Sequence, residues 1–228
     1  PFVISPGETS KSLATAESIY TWLYTNRATR SSTLVGFGGG VVLDIAGFVA
    51  ATYCRGMRFI SIPTTLLAMV DAAVGGKNGL NFGEMKNGIG TFYDPDELRI
   101  DVRHLLTLPE REYRSGMAEC VKYGAIADSD LFEWLEASYE AWKRRDLDFL
   151  ERLVDWCLSI KREIVAEDRL DKGRRHLLNF GHTVGHAVEV LSNYTISHGE
   201  AVAIGLVAES GSLRVQELLE LYGFDTRL

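Results

Sequence analysis

The chain has 228 residues, of which 46% are hydrophobic and 24% charged, values typical of a soluble globular protein. Its formal net charge of −7 gives no electrostatic support for nucleic-acid binding. No apolar run approaches the roughly 20 residues that a membrane helix needs. Three widely spaced cysteines favour reduced thiols in the cytoplasm over a disulfide framework.

The first half of the chain alternates strand and helix patterns. The segment "SSTLVGFGGG" (31–40) predicts a buried strand that enters a glycine turn, and "VVLDIAGFVAATYC" (41–54) has helical periodicity. A second strand, "RFISIP" (58–63), precedes "TTLLAMVDAAVGG" (64–76), which is predicted to be a helix with Thr64 as its N-cap. This alternation predicts a parallel α/β sheet.

The composition changes after "TLPERE" (107–112), and amphipathic helices dominate from there. Apolar residues recur at helical spacing on one face: Leu147, Leu150, Val154, Cys157, Ile160 and Ile164. We therefore expect an α/β domain over residues 1–110 and an α-helical domain over residues 111–228. A cleft between two such domains is the usual place for a ligand.

The glycine turn has two interpretations. Four of the five residues from 36 to 40 are glycines, and such a turn lets backbone N–H groups approach a pyrophosphate at a helix N-terminus. The spacing is not GxGxxG, because Val41 occupies the third glycine position, so a tight connection without a ligand fits equally well. Asp44 is either a cofactor contact or a favourable charge near the helix N-terminus.

Residues 70–90, "VDAAVGGKNGLNFGEMKNGIG", combine glycines with charged and polar residues. Asp71 follows an apolar helical stretch and is not expected to be simple solvated surface. Lys77 or Lys86 alone fits a solvent-facing position. Together with Asn87 and the glycines, they predict a loop that lies close to an anionic ligand.

The histidines offer a possible metal site. In "LLNFGHTVGHAVEV" (177–190), His182 and His186 are four residues apart, so both can lie on one helix face and bind one ion. Zinc at a catalytic site needs a third protein ligand. His198 in "ISHGEAVAIGL" lies at an apparent helix start. Spacing alone leaves open whether His182 and His186 share an ion.

Glu119 stands out in "SGMAECVKYG" (115–124), an otherwise apolar helical segment. A buried carboxylate needs a partner. Lys122 follows three positions later on the same helix face, so an ion pair between the two explains Glu119 as well as a metal does.

Six segments resemble the dehydroquinate synthase family of the sugar-phosphate cyclase superfamily, in the order and at the spacings of that family. They are "GGGVVLDIAGFVAATYCRG", "IPTTLLAMVDAAVGGKNGLN", "KNGIGTFYDP", "TLPEREYRSGMAECVKYG", "LLNFGHTVGHAVE" and "SHGEAVAIGL". The resemblance extends from "SPGETSKS" (5–12) to beyond His198. It implies a Rossmann-like NAD-binding domain followed by an α-helical domain that binds metal and substrate.

The resemblance also implies a ligand set. It assigns one divalent ion, zinc or cobalt, to Glu119, His182 and His198. His186 instead matches a residue that faces the substrate phosphate and the proton-transfer region. His182 and His186 would then have separate roles. Three protein ligands would leave positions open on the ion for the substrate hydroxyls.

The substrate implied by the resemblance is a seven-carbon keto-acid sugar phosphate, which explains why basic residues gather in an acidic protein. The matching substrate and catalytic positions are Asp71, Lys77, Lys86, Asn87, Lys122, Lys161, Arg175, Asn179 and His186. Arg55 matches an arginine that reaches the neighbouring active site of a homodimer. The matching NAD positions are Glu8, Lys11, Gly39, Gly40, Asp44, Thr64, Thr65, Lys77, Lys86 and Thr107.

The implied reaction is a redox-neutral cycle that forms 3-dehydroquinate in the shikimate pathway. A secondary hydroxyl is oxidised by NAD, phosphate leaves by β-elimination, hydride returns, and the opened ring closes in an aldol step. The substrate phosphate itself is a candidate proton acceptor. Two alternatives are a sister cyclase that makes another cyclitol and a metal-dependent polyol dehydrogenase of related fold.

Some positions depart from the family pattern. Leu43 replaces a frequent glycine near the pyrophosphate and is tolerable if its side chain points away. Asn78 replaces a common threonine, with little expected effect. The first strands of the sheet and the C-terminal part of the family are not matched. The last segment, 211–228, also follows sooner than the family spacing implies, so we expect that residues are omitted.

Overall fold

The computed structural model describes residues 1–193 and 195–227. Its helices are α1 (Leu13–Thr25), α2 (Gly40–Thr52), α3 (Glu110–Ile126), α4 (Ser129–Ala137), α5 (Tyr139–Lys143), α6 (Leu147–Glu167), α7 (His182–Leu191), α8 (His198–Ser210) and α9 (Leu213–Leu221). Its strands are β1 (Thr33–Gly38), β2 (Arg58–Pro63), β3 (Lys77–Phe82), β4 (Met85–Phe92) and β5 (Glu97–Leu98). The chain forms two compact units, Pro1–Thr64 with Ala72–Asp101 and Thr65–Asp71 with Val102–Leu228.

The first unit contains a parallel sheet in the order β1–β2–β5, which confirms the predicted α/β class. Strand β1 is less buried than predicted, because Val35 and Phe37 are 49% and 58% exposed. Successive side chains of a strand point to opposite faces, and the face opposite to these two packs against α2. The continuous apolar run therefore does not indicate a strand covered on both sides.

The segment after β2 is shorter than the predicted helix. It forms a π-helical turn over Ala68–Ala72. The Thr65 side-chain oxygen accepts a hydrogen bond from the Ala68 N–H at 3.2 Å, whereas the Thr64 N–H donates to the carbonyl of Gly38. Thr65 rather than Thr64 thus caps this segment. Such π-helical turns are rare and are frequent at functional sites.

The glycine- and lysine-rich segment forms a β-hairpin rather than the predicted loop. Strands β3 and β4 pair antiparallel, with Lys77 opposite Phe92 and Leu80 opposite Ile89. The Asn78 side-chain amide donates to two backbone carbonyls, those of Gly76 and Tyr93. Asn78 therefore fixes the open end of the hairpin, next to Lys77.

The second unit is helical, as predicted, and α3 lies in its interior. Residues 115–124 of α3 are all buried, and α3 packs against α4, α6, α8 and α9. Because other helices surround α3, Glu119 lies in the core and has no solvated helix face to occupy. On α6 the predicted apolar face is buried except at Leu147, which lies in the first turn and is 38% exposed.

Among the described residues, none of the helices combines the length and the apolar character that crossing a lipid bilayer requires.

Candidate metal centre

Two helices cross closely enough to bring distant histidines together. At the crossing of α7 and α8, a Cβ atom added to Gly205 would lie 1.8 Å from the carbonyl oxygen of Gly181, so only glycine fits there. The Glu209 carboxylate of α8 accepts hydrogen bonds from the backbone N–H groups of Gly181 and Val184, at 2.7 and 3.1 Å. It thus caps α7, whose glycine N-cap has no side chain of its own.

Three side chains converge at this crossing. The Nε2 atoms of His182 and His198 each lie 3.3 Å from Oε1 of Glu119. One ligand atom from each residue lies within 4.8 Å of the other two. A buried carboxylate with two imidazoles is a ligand set that zinc and similar ions bind.

In both histidines the other ring nitrogen, Nδ1, has a hydrogen-bond partner of its own. Nδ1 of His182 lies 3.2 Å from the carbonyl oxygen of Phe180, and Nδ1 of His198 lies 2.9 Å from Oε1 of Glu189. In the neutral imidazole, a hydrogen bond donated by Nδ1–H leaves the lone pair on Nε2, the nitrogen that faces Glu119. The residues therefore fit a divalent metal. Sequence reasoning missed Glu189, although its position seven residues after His182 places it on the same helix face.

Glu119 also forms the ion pair with Lys122 that the sequence allowed, and Lys122 Nζ donates to the Leu178 carbonyl at 2.8 Å. Burial alone would raise the pKa of Glu119, but Lys122 and the histidines hold it well below its ordinary value. Burial alone would lower the pKa of His198, but its hydrogen bonds to Glu119 and Glu189 raise it to about 9. The ion pair and the ligand cluster thus coexist.

His186 lies beside the three converging side chains but is not one of them. Its ring centroid lies 5.3 Å from that of His182 and 6.4 Å from that of His198, and its side chain is exposed. The geometry thus distinguishes the two histidines of α7 despite their helical spacing.

A second polar cluster surrounds Asp71. Its Oδ1 accepts hydrogen bonds from Lys161 Nζ at 2.6 Å and from the Tyr123 hydroxyl at 2.8 Å. Burial alone would raise the pKa of Asp71, but the Lys161 ammonium lowers it to about 2. Burial lowers the pKa of Lys161, although Asp71 opposes this effect. Nothing in the sequence singled out Tyr123, which is one of many apolar residues in its helix.

In the first unit, Lys11 links two of the predicted contact residues. Its buried ammonium contacts the Asp44 carboxylate and the Asn87 side-chain oxygen. Asn87 has a left-handed backbone with φ of 54°, and its N–H donates to Asn81 at 2.8 Å. The Asn81 side chain in turn donates to Glu8. This network brings Glu8, Lys11, Asp44 and Asn87 together.

A cavity of about 230 Å³ lies next to this network and is lined by Asp44, Lys77, Asn87 and residues of the hairpin. Gly39 is the N-cap of α2 and Gly40 its first residue, which places backbone N–H groups at the helix N-terminus. Leu43 is 3% exposed, so its side chain packs in the interior.

The remaining predicted site residues lie in varied settings. Arg175 is buried and donates to the Arg169 carbonyl at 2.7 Å. Asn179 lines a cavity of about 740 Å³ in the second unit. Arg55 is exposed, with φ of 62°, and is the last residue of the 3₁₀ turn that follows α2. Lys86 is half-buried on β4, and Thr107 is exposed at the end of the 3₁₀ turn Val102–Thr107.

Comparisons with known proteins identify the family to which the chain belongs. Residues 1–115 match the family described as 3-dehydroquinate synthase N-terminal, and residues 116–223 match 3-dehydroquinate synthase C-terminal. A 3-dehydroquinate synthase from Desulforamulus reducens is 47% identical over 226 residues, a match that covers 96% of this chain. The chain belongs to the 3-dehydroquinate synthase family. It spans 63% of the length of that relative.

Solved structures of the superfamily share the fold. The 2-epi-5-epi-valiolone synthase ValA from Streptomyces hygroscopicus, solved with NAD+ and Zn2+, superposes with a TM-score of 0.92 at 29% identity. The match covers 99% of this chain and 67% of that one. A 2-deoxy-scyllo-inosose synthase, solved with carbaglucose-6-phosphate, NAD+ and Co2+, gives a TM-score of 0.84 at 27% identity, covering 98% and 70%.

Proposed function

We propose that this chain carries out the reaction of its family, the conversion of 3-deoxy-D-arabino-heptulosonate 7-phosphate into 3-dehydroquinate and phosphate. The observation that carries the proposal is the convergence of Glu119, His182 and His198 on one point. The 47% identity to a 3-dehydroquinate synthase supports this reaction over that of a sister cyclase, since the valiolone synthase is 29% identical.

We propose that the three converging residues hold one zinc or cobalt ion and that the first unit binds NAD. The ligand set and the oriented imidazoles support the ion, and the two cyclases solved with NAD+ and a divalent metal support both groups. For NAD, the proposed contacts are Glu8, Lys11, Gly39, Gly40, Asp44, Thr64, Thr65, Lys77, Lys86 and Thr107. The N-terminus of α2 at Gly39 and Gly40 is suited to a pyrophosphate.

Glu119, His182 and His198 would hold the ion, which would supply Lewis-acid activation of a substrate hydroxyl, and bound NAD would supply hydride chemistry. The chain supplies positioning and charge. Lys77, Lys86 and Arg175 balance the two anionic groups of the substrate, with Asn87 and Asn179 as hydrogen-bonding partners. His186, exposed beside the ligands, exchanges a proton with the substrate through a ring nitrogen.

The pair formed by half-buried Asp71 and buried Lys161, together with the ammonium of Lys122, completes the proposed site. Both lysines are held by hydrogen bonds, so their charges are oriented before the substrate arrives. A site organised in this way stabilises the charge that develops on oxygen during elimination and ring closure. No reorganisation of the side chains is then needed at the moment of reaction.

We further propose a homodimer in which Arg55 reaches the phosphate in the partner's site. Its exposed position in the 3₁₀ turn after α2 supports this role. We also propose a cytoplasmic location, in line with three free cysteines.

Incubation with the heptulosonate phosphate, NAD and zinc tests the proposed reaction. The expected result is release of phosphate together with a cyclised product, without accumulation of NADH. Steady NADH formation would instead indicate a polyol dehydrogenase. Turnover of a different sugar phosphate, with none of the heptulosonate phosphate, would indicate a sister cyclase.

A further inference from the structure

Glu189 is a buried carboxylate directly behind one of the converging histidines. It lies on α7, and its side chain is 5% exposed. Its Oε1 lies 2.9 Å from Nδ1 of His198, a residue of the neighbouring helix α8. The opposite ring nitrogen of His198, Nε2, lies 3.3 Å from Glu119. A single imidazole therefore bridges two buried carboxylates that come from different helices.

His182 and His198 have different hydrogen-bond partners at Nδ1. Nδ1 of His198 contacts the ionisable carboxylate of Glu189, whereas Nδ1 of His182 contacts the neutral backbone carbonyl of Phe180. A carboxylate that accepts from Nδ1–H fixes the tautomer with its lone pair on Nε2 and makes that nitrogen a stronger donor to a metal. It also adds a negative charge near a divalent cation. Both effects favour metal binding more strongly than a carbonyl does.

We propose that Glu189 is a positioning residue that sets the metal affinity of the site by acting through His198. This inference rests on the proposed metal site and adds a residue to it. Glu189 does not touch the ion itself. It determines which ring nitrogen of His198 carries the proton and how strongly the other nitrogen binds.

The test compares Glu189→Gln with the wild-type chain, because glutamine keeps the shape and one acceptor oxygen but removes the charge. Zinc affinity is measured by competition with a chelator, and cobalt binding by visible absorption, both without NAD or substrate. We expect a loss of roughly 10- to 100-fold in zinc affinity and a changed cobalt spectrum. Glu217→Gln on α9 removes the same charge from an exposed position and is expected to match wild type.

A second measurement separates positioning from general damage to the fold. In a His198→Ala background, Glu189→Gln is expected to cause no further loss of zinc affinity, because its route to the ion is already gone. Equal additional losses in both backgrounds would overturn the proposal. A Glu189→Gln protein with wild-type zinc affinity and cobalt spectrum would overturn it as well.

The outcomes also distinguish this inference from the proposed reaction. A wild-type chain that binds zinc but releases no phosphate from the heptulosonate phosphate refutes the reaction, while the role of Glu189 is judged by metal affinity alone. A wild-type chain that binds no zinc refutes both.

Discussion

The crossing of α7 and α8 can be tested with two glycine substitutions that differ in one respect. In Gly205→Ala, the new methyl group would lie 1.8 Å from the Gly181 carbonyl oxygen, whereas in Gly185→Ala its nearest neighbour would be the Ala201 carbonyl oxygen at 3.1 Å. Contacts of a Cβ atom below 3.0 Å essentially do not occur, so Gly205→Ala requires a separation of at least 1.2 Å, the difference between 3.0 and 1.8 Å. Gly185→Ala requires only a few tenths of an ångström.

Both variants exchange glycine for alanine in a helix, so both gain up to about 1 kcal/mol from helix propensity. Overpacking at Gly205 costs about 1 to 3 kcal/mol, and the gain in helix propensity offsets part of this cost, so the net loss is up to about 2 kcal/mol. For a chain of this size, such a loss lowers the melting temperature by up to about 8 °C. We expect that shift for Gly205→Ala and little or none for Gly185→Ala.

The effect on the metal site should exceed the effect on stability. His182 lies on α7 and His198 on α8, so moving the helices apart by more than 1 Å shifts the two imidazoles relative to each other. Metal sites tolerate deviations of only about 0.2 Å in ligand distances. We therefore expect Gly205→Ala to lose tight zinc binding in the chelator assay while Gly185→Ala retains it. Equal zinc affinities and melting temperatures in the two variants would refute the reasoning.

Three further predictions address other groups. His182→Ala is expected to abolish tight zinc binding, whereas His186→Ala keeps the metal and loses turnover; equal loss of zinc in both would contradict the division of roles. Lys11→Met is expected to weaken NADH binding by roughly 10- to 150-fold in a fluorescence titration, since a hydrogen bond to a charged group contributes about 1.5 to 3 kcal/mol, and unchanged NADH affinity would count against the network at Asp44. Because the folded-state pKa of Asp71, about 2, lies below its value of 3.8 in the unfolded chain, its ionised form stabilises the protein above pH 4 and this contribution disappears as the pH falls towards 2. In denaturant titrations, the difference in unfolding free energy between wild type and Asp71→Asn should therefore shrink by about 2 kcal/mol over that range, and a constant difference would disagree.

Local patterns in the sequence were sufficient to predict several of the elements. The apolar run before the glycine turn formed β1, "RFISIP" formed β2, and the periodic segments formed α2 and α6. The sequence also predicted that a helix starts at His198. In the structure, Ser197 and Glu200 form a capping box at the start of α8. These features depend on interactions between residues a few positions apart, which the sequence displays directly.

The tertiary structure corrected the predictions that concern burial and pairing. The hairpin β3–β4 formed where a loop was expected, since pairing between strands depends on partners that local composition does not reveal. Strand β1 exposes Val35 and Phe37, because burial of a strand is decided by what packs on each face. The helix expected from Thr64 is a short π-helical turn capped by Thr65.

By itself, the sequence determined the fold class and the residue types available for metal chemistry, and its resemblance to a family singled out three of them. Spacing alone did not separate His182 and His186, because a helix places both on one face. Glu119 and His198 are 79 positions apart, and only the packing of α8 against α3 and α7 brings their side chains within 3.3 Å. Glu189 emerged in the same way, since its role depends on which ring nitrogen of a neighbouring helix it meets.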